Sequence, residues 1–263
     1  MKASNSKIFT VERVNVLGSE ISAITIAGAI KTLIEMSKME VGGYVCFANV
    51  HSVVTARGDR ALRDSINGSR FTMPDGQPIY WLVKCMTKGS CSHIPGPEFF
   101  RLFMEAGISV GAKHYFIGGK PEVLDRLVGN MKARFKDLLV VGSESPPFRQ
   151  MTEIEINGML SRIRESGANF VWVGLGAPKQ ELWMARYASR LNPALLFGVG
   201  AAFDFHAGVV NRAPPLISTF GFEWLYRLIQ EPRRLWRRYL VTNSKFIFLV
   251  ILEYVLQIRI KLR

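Results

Sequence analysis

The chain is predicted to be an α/β protein, with a twisted, mostly parallel sheet covered by helices on both faces and a basic helical C-terminal appendage. Three observations lead there. Short apolar runs alternate with segments of helical spacing along residues 10–210, the strand, helix, strand order that builds parallel sheets. Three of the strands run into glycine turns, at Gly118-Gly119, Gly174-Leu175-Gly176 and Gly198-Val199-Gly200. The rhythm then breaks at Asn211-Arg212-Ala213-Pro214-Pro215, and a tail rich in arginine and aromatic residues follows. Residues 1–210 are therefore expected to form the α/β domain and 211–263 the appendage.

Taken in order, Thr10 to Leu17 alternates as a strand, and Ile21 to Met36 has helical spacing with Ser19 or Ser22 available as cap. Tyr44 to Ala48 is an apolar strand that ends in Asn49, Val50, His51 and Ser52, followed by helical stretches through Arg57 and from Arg60 to Asn67. Arg70 to Met73 is a short strand running into Pro74-Asp75-Gly76 and a helix from Gln77 to Met86. Lys88 to Pro97 is read as a loop, a candidate flap, before a helix from Glu98 to Ala106. The strand His114 to Ile117, the turn Gly118-Gly119-Lys120-Pro121 and the helix Glu122 to Phe135 come next. Leu138 to Val141 is a strand, Glu153 to Glu165 a helix, and Phe170 to Val173 a strand whose unalternating apolar run suits burial on both faces. Pro178 suits the first position of the helix after it, and Ala194 to Val199 is the last strand. The whole is a Rossmann-like arrangement, whose ligands bind along the carboxyl ends of the strands.

Composition narrows the class. With 263 residues, 48% of them hydrophobic, the chain buries a substantial core and is not a disordered protein. A net charge of +13 predicts an anionic partner, whether nucleic acid, lipid headgroups or a phosphorylated substrate. Cys46, Cys85 and Cys91 form no CxxC pair and have no histidine cluster beside them, so neither a zinc site nor a disulfide framework is expected, and a reducing cytoplasm fits. No apolar run reaches the roughly 20 residues that span a bilayer. From Glu231 onward, eight basic residues face two acidic ones, so this stretch holds six of the thirteen excess charges. Along residues 224–239, Trp224, Tyr226, Trp236 and Tyr239 interleave with Arg227, Arg233, Arg234, Arg237 and Arg238, and Phe246 to Leu256 is apolar apart from Glu253. That pattern suits a helix lying in an anionic membrane surface. The alternative is a helix packed on the domain, or on another subunit in a homo-oligomer, with its basic face solvated.

The chemistry is expected at the strand ends. Asp75 at its strand-to-helix turn either caps the following helix or serves as a carboxylate that takes a proton from a hydroxyl nucleophile. Asn49 and His51 stand at a similar position, with capping as the plainer role. Glycine turns that open onto helix N-termini offer N–H groups and a positive dipole end to phosphate, or are only tight connections. None of the three glycine turns has GxGxxG spacing, and Lys120 and Lys179 are followed by Pro and Gln rather than Ser or Thr, so dinucleotide and Walker A sites are excluded. A scaffold or nucleic-acid module without catalysis uses the tail but leaves Pro74-Asp75-Gly76 and the glycine turns without a purpose. A diphosphate cradle, a carboxylate base and a membrane-seeking tail together describe a transferase with a nucleotide-activated donor and a lipid-linked acceptor.

The motifs ANVHS at 48–52, MPDGQPIYW at 73–81, IPGPEFF at 94–100, FIGGKPE at 116–122, SPPF at 145–148, VGLGAPKQE at 173–181, GVGAAFDFHAG at 198–208, RAP at 212–214 and EWLYRLIQEPRRLWRRYL at 223–240 resemble, in order, the WecG/TagA/CpsF family, glycosyltransferase family 26. The resemblance implies an inverting, metal-independent and cofactor-free enzyme. It would move a hexose, of glucose or N-acetylmannosamine type, from a UDP-sugar to a polyprenyl-diphosphate-linked saccharide. It also implies a peripheral protein on the cytoplasmic face of a bacterial plasma membrane, in exopolysaccharide or cell-surface polysaccharide synthesis, with the length and tail of a GumM-type glucosyltransferase and no nucleic-acid partner. Carried over by residue, Asp75 is the base and Asn49 contacts a sugar. Gly118, Gly119, Gly174 and Gly176 form the cradle, Gln180 and Asp204 line the nucleotide-sugar pocket, and Arg227, Arg234 and Arg237 close over the diphosphate. Where many members carry Arg, two residues before Pro95-Gly96, this chain has His93; either a weaker, pH-dependent donor stands there or the role is lost. The role of His51 stays open.

Overall fold

A computed structural model describes residues 9–211 and 223–261. The chain opens on a hairpin rather than the expected βα unit. Strands β1 (Arg13–Val16) and β2 (Ser19–Ser22) pair antiparallel around Leu17 and Gly18, whose φ values of 52° and 92° are those of a mirror-image two-residue turn. Ser19 and Ser22 therefore do not cap the first helix. Ser22 Oγ instead accepts from the backbone N–H of Thr72 at 3.0 Å, and α1 (Ile26–Lys38) is capped by Thr25, which accepts from Gly28 N–H at 3.1 Å.

Next come β3 (Gly43–Ala48), α2 (Val50–Gly58), α3 (Arg60–Asn67), β4 (Phe71–Pro74), α4 (Gln77–Met86) and α5 (Gly96–Ile108). They are followed by β5 (Lys113–Gly118), α6 (Pro121–Arg134), β6 (Leu139–Glu144), α7 (Glu153–Glu165), β7 (Phe170–Gly174), α8 (Lys179–Tyr187), β8 (Leu195–Gly198) and the short α9 (Ala202–His206). Helix α8 starts one residue later than expected, with Pro178 in the cap position. Strands β3 to β8 form one six-stranded sheet in the order β4-β3-β8-β7-β5-β6, and every adjacent pair is parallel.

Both faces of that sheet are covered. Val45, Phe47, Phe170, Trp172, Leu195 and Phe197 point to the side where α1, α5, α6 and α9 pack. Their alternate neighbours Tyr44, Cys46, Val171, Val173 and Leu196 point to the side of α7 and α8. The first face is an aromatic core, in which Trp172 stacks on Phe197 at 4.4 Å and meets Phe100 edge-on at 4.8 Å. His114 is wholly buried there, its Nδ1 accepting from Trp172 Nε1 at 3.0 Å. Such burial pushes its pKa down to about 3.

The C-terminal part forms α10 (Glu223–Gln230) and the long α11 (Pro232–Lys261). Helix α11 lies along α2, and Phe246 and Leu249 are buried with Val53, Val54, Ile79, Val83 and the hairpin residues Val14 and Val16. Arg57 Nη1 reaches Glu253 Oε1 at 2.7 Å across the same contact. The appendage helix thus packs on the domain along one side. Its other side leaves Leu240, Val241, Ile247, Phe248 and Ile251 exposed. Among the described residues no helix is long and apolar enough to cross a membrane.

Candidate active site

A cleft of about 1440 Å³ runs along the carboxyl ends of the strands, bounded on one side by α11. Asp75 lies in it, just past the end of edge strand β4. Its backbone N–H donates to Ala48 O at 3.0 Å and that of Gly76 to the same oxygen at 3.1 Å, which ties the turn to the end of β3. A Cβ at position 76 would stand 3.0 Å from Asn49 Cα, so a larger residue there would have to push the start of α2 aside. The Asp75 carboxyl does not cap the helix that follows, since α4 has no side-chain cap. Oδ1 instead accepts from Gly96 N–H at 2.7 Å, in the first turn of α5, and Oδ2 faces Asn49 Nδ2 at 3.3 Å. The two oxygens are in unequal surroundings: one is fixed by a backbone donor from a distant loop, and the other is turned toward a side chain of the cleft.

Asn49 caps α2 and also reaches Asp75 in the cleft. Its Oδ1 accepts from Ser52 N–H at 3.2 Å while Ser52 Oγ accepts from Asn49 N–H at 2.9 Å, a reciprocal cap on α2. The amide nitrogen is thereby aimed at Asp75. His51, in the first turn of α2, also lines the cleft. His93 does so too, and its Nε2 donates to the backbone carbonyl of Asp75 at 2.6 Å, while its ring lies 5.9 Å from that of Tyr80. This histidine holds the turn that carries the carboxyl group.

The glycines divide into two kinds. Gly118 and Gly174 sit opposite each other in the β5–β7 ladder. A Cβ at 118 would lie 2.6 Å from Gly174 C, and one at 174 would lie 2.5 Å from the Phe203 ring. These two are required by packing, and Gly118 does not line the cleft. Gly119 and Gly176, with φ of 75° and 78°, do line it, and a Cβ on Gly176 would meet nothing within 4 Å. The space beside Gly176 is open to a ligand. The turns lead into α6 and α8, neither of which has a side-chain cap; Pro121 carries no N–H, and Val123 and Gln180 N–H donate to Lys120 O and Gly176 O, so it is chiefly the positive dipole ends of the two helices that lie at the rim beside Lys120. By strand count the Gly176 and Gly119 turns stand three and four strands from Asp75, roughly 14–19 Å along the sheet.

Gln180 is 4% exposed and its amide is engaged by the protein. Oε1 accepts from Gly176 N–H at 3.2 Å, and Nε2 donates to Gly198 O at 2.7 Å and to Glu181 Oε1 at 2.9 Å. It lines the cleft and braces the β7 turn against the end of β8 with its amide groups already engaged by the protein. Asp204 faces the cleft from α9. The side chains of Arg227, Arg234 and Arg237, expected over the diphosphate, lie outside the described residues, as does the motif at 212–214.

Several lining residues were not singled out from the sequence. Gly96 supplies the donor that fixes Asp75, and its place between two prolines at a helix start was a usable signal. Trp81, Phe148 and the α11 residues Tyr239, Asn243 and Ile247 complete the walls. Nothing in local spacing separates those from ordinary helix and loop residues. Among the described residues no three His, Cys, Asp or Glu side chains gather as a metal-ligand set, and all three cysteines are free.

A parallel α/β sheet with a carboxyl group held at its rim, and glycine turns three and four strands away along the same cleft, is an arrangement suited to an enzyme's ligand site. A family model described as glycosyl transferase WecG/TagA/CpsF family matches residues 14–259, nearly the whole chain. The chain belongs to the WecG/TagA/CpsF family of glycosyltransferases.

Proposed function

We propose that this glycosyltransferase moves a hexose from a UDP-sugar to a polyprenyl-diphosphate-linked saccharide, with inversion and without a metal ion, at the cytoplasmic face of a bacterial membrane. The observation that carries the reading is the setting of Asp75, with Oδ1 held by Gly96 N–H and Oδ2 turned to Asn49 in the cleft that the glycine turns share. In the proposed reaction Oδ2 takes the proton of the acceptor hydroxyl as that oxygen attacks the anomeric carbon. The bond from that carbon to the diphosphate oxygen breaks, and UDP departs with the electron pair. A single displacement of this kind inverts the anomeric centre.

The leaving diphosphate needs positive charge. The positive dipole ends of α6 and α8, the open space beside Gly176 and the cation of Lys120 support a cradle for it. Arg227, Arg234 and Arg237 are proposed to complete it, because the guanidinium fork binds phosphate oxygens bidentately and stays charged. The exposed apolar side of α11 and the basic charge around it support docking on an anionic membrane surface, where a prenyl-linked acceptor resides.

The test is Asp75→Asn, which keeps the shape and an acceptor for Gly96 N–H but cannot take the proton. Turnover should fall by about 10²–10⁴-fold, the usual share of general base catalysis. UDP binding by calorimetry should stay within about threefold of the native value. Near-normal turnover in the variant removes Asp75 from the role of base.

A further inference from the structure

The base must lie within hydrogen-bond reach of the acceptor hydroxyl, and the glycine turns lie on one side of it, toward β7 and β5. The other side of Asp75 is beyond the edge of the six-stranded sheet, where the hairpin strand β2 packs against β4 and α4 begins two residues after the carboxyl group. Helix α4 is oriented by Ile79 and Val83, both fully buried against the hairpin and α11. That orientation turns Gln77, Pro78 and Trp81, neighbours on one helical face, into the cleft. Trp81 is 50% exposed. A large indole left half open beside the base presents a flat apolar surface with a hydrogen-bonding edge, the form of side chain that covers the C–H face of a pyranose ring. Tyr239, Asn243 and Ile247 of α11 line the same cleft.

We propose that Trp81 is the platform on which the acceptor saccharide stacks. The acceptor is then bound between α4 and α11, on the side of Asp75 away from the glycine turns. This rests on the transferase reading above. It divides the cleft into a donor end over β7 and β5 and an acceptor end over α4, with Asp75 at the junction. Trp81 takes no proton and touches no phosphate, so its loss is a loss of acceptor affinity alone.

The experiment follows transfer from the UDP-sugar that the native enzyme uses, picked from a panel, onto the polyprenyl-diphosphate saccharides extracted from membranes of the source organism. Both concentrations are varied. Trp81→Ala should raise the apparent KM for the extract about tenfold, the effect of losing one aromatic stacking contact. The KM for the UDP-sugar and the calorimetric Kd for UDP should stay within about twofold. Trp81→Phe should recover most of the acceptor affinity, while Trp81→Leu, which keeps apolar bulk without an aromatic face, should not; this pair separates stacking from packing even if the alanine variant melts early. An unchanged extract KM in Trp81→Ala, equal behaviour of the Phe and Leu variants, or a parallel loss of UDP affinity would overturn the proposal. Absence of transfer by the native chain would overturn the transferase reading and this assignment with it, and is told apart because the native protein, not the variant, fails.

Discussion

At the scale of single residues, glycine shows how one sequence signal divides into two physical causes. Gly174 is needed because the Phe203 ring occupies the space of its Cβ, whereas Gly176 borders open space and carries a left-handed φ. Gly174→Ala should therefore destabilise the fold by about 1–3 kcal/mol through overpacking, seen as a lower urea midpoint. Gly176→Ala should cost only about 1 kcal/mol of backbone strain but weaken UDP binding by at least tenfold. Equal UDP affinity in the Gly176 variant would reduce that turn to a plain connection. His114 makes a second residue-scale case. Its folded pKa of about 3 lies below the ordinary 6.5, so the unfolded chain takes up a proton first. Stability from the neutral ring is complete above pH 6.5 and is lost as pH falls toward 3, by up to about 1.4 kcal/mol per pH unit. His114→Gln, which retains an acceptor for Trp172 Nε1 but does not titrate, should be less stable at pH 7. Its deficit against the native chain should shrink as pH falls from 6 to 4 in urea titrations. A deficit independent of pH would contradict a neutral, buried imidazole.

Elements were legible wherever an apolar period coincided with a clear stop. The helices Gln77–Met86 and Glu153–Glu165 have the expected bounds, the first set by Gly76 and Pro78 and the second by the reciprocal cap of Thr152 and Glu155. The hairpin was not legible, because Ser19-Glu20-Ile21-Ser22 has a single apolar residue and its pairing depends on Leu17 accepting a positive φ. The candidate site was legible as motifs at strand ends, which the parallel sheet gathers. The pairing of Asp75 with Gly96 was not, since Gly96 opens α5, 21 residues along the chain, and its prolines mark a helix start without saying what it meets. Helix α11 was read as a choice between membrane and domain; one side packs on the domain and the other is apolar and exposed. Phe246 and Leu249 belong to the core, whereas Phe248 and Ile251 face outward. Phe246→Ala should accordingly cost about 3 kcal/mol of stability, while the double change Phe248→Ser and Ile251→Ser should leave the Tm within about 2 °C and reduce partition into vesicles. A drop in Tm for the outward pair as large as for Phe246 would mean that this side, too, is covered.

For the whole molecule the deciding quantity is the placement of charge. Of the net +13, six units come from Glu231 onward, on the same helix that carries the exposed apolar side. A chain held to a surface by both effects should respond differently to salt and to lipid charge. The Debye length falls from about 10 Å at 0.1 M to about 3 Å at 1 M, so headgroup attraction across the interface is largely screened at the higher value. Apolar contact is not weakened by screening. Co-sedimentation with vesicles containing about a third anionic lipid should therefore be strong at low salt and fall steeply toward 1 M, with a residue of binding that the Phe248 and Ile251 changes remove. Vesicles of neutral lipid should show that residue alone, with little dependence on salt. Binding equal on both vesicle types at low salt would mean that the excess charge faces away from the membrane. The arginines of α10 and α11 would then be free for the substrate diphosphate instead.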